Sequence, residues 1–395
     1  MTATEDLELE AGRTWPVIVL MGLLFVGIGA TLPALPGAVR EAGAGPTSLG
    51  LVIGVFPLAA LAGRLVAGRS TDRRGRVVTM RVGLITAAVS GVLFALPLLG
   101  PTVPVAGIGL ARVLHGLANA LVYTAVSAYV LDRTLPERRP QALSLLGAGI
   151  WGGYALGPLL GAALGLAQVG LVVLAGSLVG LALTVGLPDT RATGEPPTGL
   201  RALLPRGVAL PGLALGLGNL GYAAIIGFLV VRVDDGGGRG AVALTCFSIA
   251  VLAGRLVVVP VAARLGMLRS LPYGLVSMAA GLLVIAATDD ALAAGIAAAV
   301  IGIGYCLPYP ALASLVAGRV PASQRGAALG ALVAFYDVFV GIGSVVFGLV
   351  AARAGTPSVF VLAAVGVLAS AVVNARVAGQ DRGARAVADD RPPDA

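Results

Sequence analysis

The chain of 395 residues has no lysine, a single histidine (His115) and two cysteines, Cys246 and Cys306. Both cysteines fall inside apolar runs. That leaves no spacing for a zinc or di-iron site and no disulfide framework. Charge is scarce too: 12% of residues are charged, against about 25% in a soluble domain. With 57% hydrophobic residues and a mean hydropathy of +0.96, the chain cannot hide its apolar side chains in one water-soluble core, which excludes a soluble enzyme. A membrane-embedded enzyme would need clustered histidines or carboxylates, and a nucleotide-driven pump would need a phosphate-binding loop between strand and helix. Neither pattern is present. All 27 basic residues are arginines and the net charge is +8. They sit in loops beside apolar runs, with no basic stripe of the kind that binds nucleic acid.

What the chain does have is long apolar runs. A spanning helix needs about 20 such residues. The first thirteen residues are polar and acidic (Glu5, Asp6, Glu8, Glu10), whereas a secretory signal opens with a basic segment. Trp15–Val39 therefore reads as a retained first span. Further runs fall at 47–68, 77–98, 104–131, 141–165, 167–187, 208–232, 240–260, 270–288, 291–317, 326–352 and 357–377. The runs are continuously apolar rather than alternating, which excludes a transmembrane barrel. The expected fold is an all-α polytopic membrane protein with twelve transmembrane helices.

The longest interruption runs from Pro188 to Gly207 and divides the chain into two sets of six. The expected organisation is a tail over 1–14, a six-helix half over 15–187, a central loop over 188–207, a second half over 208–377 and a tail over 378–395. The last segment is charged and ends in prolines, a composition that predicts disorder. With the N-terminus placed in the cytoplasm, the inner segments hold nineteen arginines and the outer loops only Arg40, Arg232, Arg239 and Arg353. Arg64, Arg81, Arg112 and Arg255 fall within spans. The asymmetry predicts a multi-pass protein of the inner (plasma) membrane with both termini and the central loop cytoplasmic.

The halves repeat. Leu61-Ala62-Gly63-Arg64-Leu65-Val66 in the second span recurs as Leu252-Ala253-Gly254-Arg255-Leu256-Val257 in the eighth. At the same offset Arg73 meets Arg264 and Gly75 meets Gly266. Gly107-Ile108-Gly109 in the fourth span is also matched to Gly302-Ile303-Gly304 in the tenth. Internal repeats of this kind are how secondary transporters build a site between two rocking units.

Three motifs carry a resemblance to a known family. The loop between spans two and three reads Gly68-Arg69-Ser70-Thr71-Asp72-Arg73-Arg74-Gly75-Arg76. In span four, Arg112 is followed by Gly116. In span five stands Gly153-Tyr154-Ala155-Leu156-Gly157-Pro158-Leu159-Leu160-Gly161. Together they resemble the major facilitator superfamily over essentially the whole chain, and within it the twelve-span drug/metabolite:proton antiporter and sugar-efflux-type branch. The resemblance implies two pseudo-symmetric six-helix bundles, alternating access, no cofactor and a monomer. It also implies that Gly68, Asp72, Arg73, Gly75 and Arg76 gate the cytoplasmic side, the charges meeting the facing half and Gly68 allowing close helix packing. Plain positive-inside anchoring is the simpler reading of those arginines. Gly153, Gly157, Pro158 and Gly161 resemble an antiporter motif, and Leu32-Pro33-Ala34-Leu35-Pro36 resembles exporter sequences; both point to efflux. The loop after span four, Asp132–Pro136 and Arg138–Ala142, has its counterpart at Pro321–Ala328 and speaks for topology rather than substrate.

A proton-coupled carrier needs an ionisable group whose surroundings alternate between wet and dry. Desolvation favours the neutral form of such a carboxyl unless a cation pairs with it. Asp337 is the one carboxylate placed deep in a span, and Arg112 and His115 are possible second charges; a purely structural Asp337 is the competing reading. Arg112, His115, Asn119 and Tyr123 follow one another at helical spacing and share a face, unless Arg112 snorkels to the outer surface. Asn119, Tyr123, Trp151, Tyr154, Asn219, Tyr222, Tyr305 and Tyr309 are candidate cavity residues, with Tyr305 and Tyr309 on one helical face. A site with few fixed charges suits a neutral or amphipathic organic solute, since phosphate or dicarboxylate asks for several convergent arginines. The expected partners are membrane lipid, a small organic solute and protons, with no nucleic acid and no metal. The functional expectation is proton-coupled efflux; uptake of a sugar or other metabolite with a proton is the alternative, and a non-transporting sensor a third.

Overall fold

The computed structural model describes residues 3–100, 104–135, 138–190, 207–321 and 324–389. Arg191, Arg201 and Arg206 of the central loop, Pro136 and Glu137 after span four, and Arg391 near the C-terminus lie outside them. Twelve segments among the described residues are long and apolar enough to cross a membrane, and no strand occurs there. Spans one to six run Thr14–Glu41, Pro46–Arg64, Arg76–Leu98, Val105–Asp132, Gln141–Ala163 and Leu166–Leu183. Spans seven to twelve run Ala209–Asp235, Gly240–Leu265, Met267–Ala287, Ala291–Arg319, Arg325–Ala354 and Thr356–Gly379.

The first helix begins at Ala3, ahead of the span that starts at Thr14, and the far end of the chain differs from expectation. The last helix runs Thr356–Asp389, so the charged segment after Gly379 is helical where disorder was predicted. A helix already nucleated adds one hydrogen bond per residue fixed, and the alanines and arginines of this segment are good helix formers.

The short connections are made by glycine. Span three starts one residue after the helix Pro46–Arg74 ends, and span nine one residue after span eight. The residues between them, Gly75 and Gly266, have φ of +106° and +102°, which a side chain tolerates poorly.

Packing repeats between the halves. Span one packs on five and six, two on four, and three on four and six. Span seven packs correspondingly on eleven and twelve, eight on ten, and nine on ten and twelve. The main contacts across the halves are two with eleven and five with eight, again a matched pair.

The register within this repeat is fixed by glycine contacts. A Cβ on Gly116 would run into the Phe56 carbonyl and lie 3.1 Å from the Ala59 Cβ; one on Gly302 would run into the Phe247 carbonyl and lie 2.9 Å from the Ala250 Cβ. Likewise Gly63 faces Ala120 and Gly254 faces Cys306. Gly302 is thus the counterpart of Gly116, and the match of Gly107-Ile108-Gly109 to Gly302-Ile303-Gly304 is one of composition alone. The same register sets Asn119 against Tyr305 and Tyr123 against Tyr309.

Span ten is broken. It consists of helices Ala291–Tyr305 and Pro308–Arg319, where the sequence reads as one helix. Pro308 and Pro310 both lack a backbone N–H, and each ring crowds the preceding turn.

Candidate functional site

The two halves meet through glycine at one end of the seam. A Cβ on Gly50 would strike the Ser344 carbonyl, and one on Gly54 the Gly341 carbonyl; a Cβ on Gly348 would lie 2.9 Å from the Gly50 Cα. Backbones this close exclude water and solute. Nearby, Arg40 at the end of span one pairs with Asp235 at the end of span seven at 3.6 Å. At the opposite, arginine-rich end a Cβ on Gly68 would meet nothing within 4 Å. The seam is closed at the Gly50 end, while Gly68 near the other end has open space around it.

Between them lies a cavity of about 370 Å³ lined by both halves, within the roughly 300–1,000 Å³ of ligand pockets. Asn119, Tyr123, Trp151 and Tyr154 line it from the first half, and Asn219, Tyr222, Tyr305 and Tyr309 from the second. The structure thus brings all eight candidate residues to one cavity. The break in span ten falls between Tyr305 and Tyr309, so these two share the cavity without sharing a helical face. The aromatic rings form a continuous wall across the halves. Tyr222 stacks on Tyr305 with centroids 4.9 Å apart, and Trp151 meets Tyr305 at 5.9 Å and Tyr154 at 5.4 Å.

Asp337 lines the cavity and is 2% exposed. Its Oδ2 accepts a hydrogen bond from Arg64 Nε at 2.8 Å, forming an ion pair between span two and span eleven. The Arg64 guanidinium carbon also lies 5.5 Å from the centre of the Tyr123 ring. Arg112 is 1% exposed. It donates to the Val52 carbonyl at 3.4 Å and the Thr31 hydroxyl at 3.2 Å, and its guanidinium lies over the Phe56 ring at 4.4 Å. It lines the cavity rather than reaching for the membrane surface. His115 parts from the stripe: it lines a separate small void with Leu24, Leu84 and Ser177, packed edge-on to Phe56 and Phe94. Both its ring nitrogens are buried without hydrogen-bond partners among the described residues. A helical face spans enough arc that a residue at its edge falls behind the wall.

Three of the cavity residues outside the expected site carry charge or an aromatic hydroxyl into its wall. Arg64, Arg255 and Tyr336 all line the cavity. The repeated Leu-Ala-Gly-Arg segments were the signal for the arginines. Each glycine seats its span on the neighbouring helix of its own half, which turns the next residue toward the seam. Arg255 places its guanidinium 5.0 Å from the Trp151 ring centre, so the pattern of an arginine reaching into the other half occurs twice. Among the described residues, the cavity wall thus holds three arginines and one carboxylate, where few fixed charges were expected.

The loop Gly68–Arg76 makes its contacts inside its own half. Arg76 binds Asp72 at 2.8 Å and Asp132 at 3.0 Å. Asp189 accepts from Val77 N at 2.8 Å and sits where a Cβ on Gly75 would be, a carboxylate at a helix N-terminus. Arg73 is exposed. Among the described residues, the expected charge contact with the facing half does not occur. In span five, a Cβ on Gly153 would lie 2.9 Å from the Phe25 Cβ, on Gly157 2.7 Å from Ala30 N, and on Gly161 against the Ala30 carbonyl. Pro158 stays within the helix. These residues bind span five to span one, as small residues do in membranes.

The model of the Major Facilitator Superfamily matches residues 17–242 and 213–393. The chain is 30% identical over 358 residues to the uncharacterized MFS-type transporter YhhS of Escherichia coli K12, covering 88% of each chain. It is 30% identical over 368 residues to the MFS-type transporter BMASAVP1_A0869 of Burkholderia mallei, covering 91% of this chain and 90% of that one. Among solved structures, the nucleoside transporter NupG superposes with a TM-score of 0.72 at 14% identity, over 92% of this chain and 98% of that one. The human organic anion transporter MFSD10 gives 0.68 at 18% identity, over 92% and 99%. These last two likenesses show the fold.

Proposed function

Because this chain belongs to the major facilitator superfamily, a family of non-enzymatic secondary transporters, we propose that it carries a small organic solute across the inner membrane by alternating access, coupled to protons at Asp337. The observation that carries this reading is the Arg64–Asp337 pair, which joins the two moving halves inside the cavity at 2.8 Å. A carboxylate so placed binds its arginine when ionised and releases it when protonated. Proton occupancy and the state of the seam are thereby linked. Arg112, held by Thr31 and Val52, acts as a fixed charge in the cavity wall. The organisation into halves 15–187 and 208–377 around a central loop follows from the same reading.

The arginine asymmetry supports cytoplasmic termini, so the state described opens inward. Gly68, Asp72, Arg73, Gly75 and Arg76 then serve as the inner gate, with Gly68 becoming a packing surface when that end closes. For direction, the span-five motif Gly153–Gly161 favours efflux in exchange for protons. Uptake with a proton is a second reading, favoured by the excess of arginine in the cavity. Protonating Asp337 makes the cavity more positive, so a proton and an anion would assist each other's binding and travel together.

The test is solute-driven proton movement in inside-out vesicles carrying the protein or Asp337→Asn. Loss of proton movement in the variant, with solute binding retained, is the expected result. Undiminished coupling in Asp337→Asn removes the carboxylate from the mechanism. The sign of the proton flux separates exchange from cotransport.

A further inference from the structure

Arg64 and Arg255 occupy equivalent positions in the repeat, yet their surroundings differ. Trp151 and Asp337 stand the same number of residues after Arg139 and Arg325, which begin the helices of spans five and eleven. Arg64 reaches Asp337; Arg255, by the same geometry, reaches Trp151. Where one half supplies a carboxylate, the other supplies an indole face. Among the described residues Arg255 has no ion-pair partner, and its Nε is buried without a hydrogen-bond acceptor.

An arginine deep in a membrane protein is costly unless something answers its charge. An aromatic face attracts a cation above it, but accepts little from the guanidinium donors. Arg64 is answered by Asp337, and Arg112 by the Thr31 hydroxyl, the Val52 carbonyl and the Phe56 ring. Among the described residues, Arg255 is the one cavity arginine with neither a hydrogen-bond acceptor nor an ion-pair partner. The guanidinium fork matches a carboxylate with two parallel hydrogen bonds. Beside it, the stacked Tyr222 and Tyr305 rings offer an apolar wall.

We propose that Arg255, backed by Trp151, binds the carboxylate of an amphipathic monocarboxylate whose apolar body lies against the Tyr222–Tyr305 stack. The inference rests on the reading of this cavity as the transport path and holds for either direction of flux. It narrows the neutral or amphipathic solute expected from the sequence to an amphipathic anion.

The experiment uses the full-length protein in nanodiscs with Trp15→Phe, so that Trp151 is the one tryptophan. The probes are phenylacetate and cyclohexanecarboxylate, each beside its neutral amide. The expected result is saturable change of Trp151 fluorescence, with at least one carboxylate binding tenfold or more tightly than its amide. Arg255→Gln is expected to bring that ratio close to one, and Arg255→Lys to keep part of it. Equal binding of acid and amide to the Arg255 protein overturns the proposal, as does discrimination that survives Arg255→Gln, or the absence of any carboxylate response. The proton-coupling reading fails on the vesicle measurement instead, and its failure leaves the acid-to-amide ratio unchanged.

Discussion

At the scale of single residues, the informative feature is an unequal pair. Asp337 is the deeper partner, with a side chain 3% exposed against 23% for Arg64. Removing one member of a buried pair costs roughly 3–5 kcal/mol because the other is stranded. Arg64→Gln strands the deeper group and is expected to lower the melting temperature in detergent more than Asp337→Asn does. The double variant should recover much of the loss. Additive losses would mean that the two side chains do not depend on each other. Asp337 was legible in the sequence because a carboxylate within an apolar run is conspicuous. Its partner was not, since the two lie 273 positions apart and a sequence without helix orientations does not say which span faces which. Gly75→Ala makes a second expectation. It forces a side chain onto φ of +106° and against the Asp189 carboxylate, costing on the order of 1–3 kcal/mol, measurable as a lower melting temperature.

At the scale of the helix, hydropathy located all twelve spans within a few residues, since a run long enough to cross lipid is set by length and composition alone. The break in span ten escaped that reading for a physical reason. Pro57, Pro158 and Pro260 all sit inside unbroken helices, so proline by itself does not announce a break. Even Pro33 and Pro36, three apart, sit inside one helix; Pro308 and Pro310 stand two apart and open a new helix after Cys306 and Leu307. Replacing Pro308 and Pro310 with alanine is expected to let the helix continue, shift Tyr309 relative to Tyr305, and weaken solute binding tenfold or more while the protein still folds. Unchanged affinity would show that the break is incidental to the cavity. In span five, Gly153→Val drives a branched side chain into Phe25 and the Gly22 carbonyl of span one. Reduced thermal stability, read by fluorescence-detected gel filtration after heating, is the outcome to look for.

For the whole molecule, the arrangement predicts which face is reachable. In a chain with Cys246 and Cys306 replaced by alanine, Gly68→Cys is expected to react with a membrane-impermeant maleimide in inside-out vesicles and not in right-side-out ones. Saturating solute should alter the rate. The opposite sidedness would reverse the topology. The two-fold repeat was legible in the Leu-Ala-Gly-Arg segments because they recur at equivalent depths. The Gly107–Gly109 match misled because glycine and isoleucine recur by composition, and only contact with a neighbouring helix separates a true counterpart from a coincidental one.

Arg64 stands near the midpoint of the helix Pro46–Arg74, between the touching glycines at Gly50 and Gly54 and the open end at Gly68. A rigid lever turning about its middle sweeps its tips widely and its fulcrum hardly at all. When the halves tilt, the tips trade places between contact and separation while the Arg64–Asp337 bond stays near the axis and need not snap. What the tilt changes at that latch is the side from which water reaches it, so a proton taken up from one compartment would leave to the other.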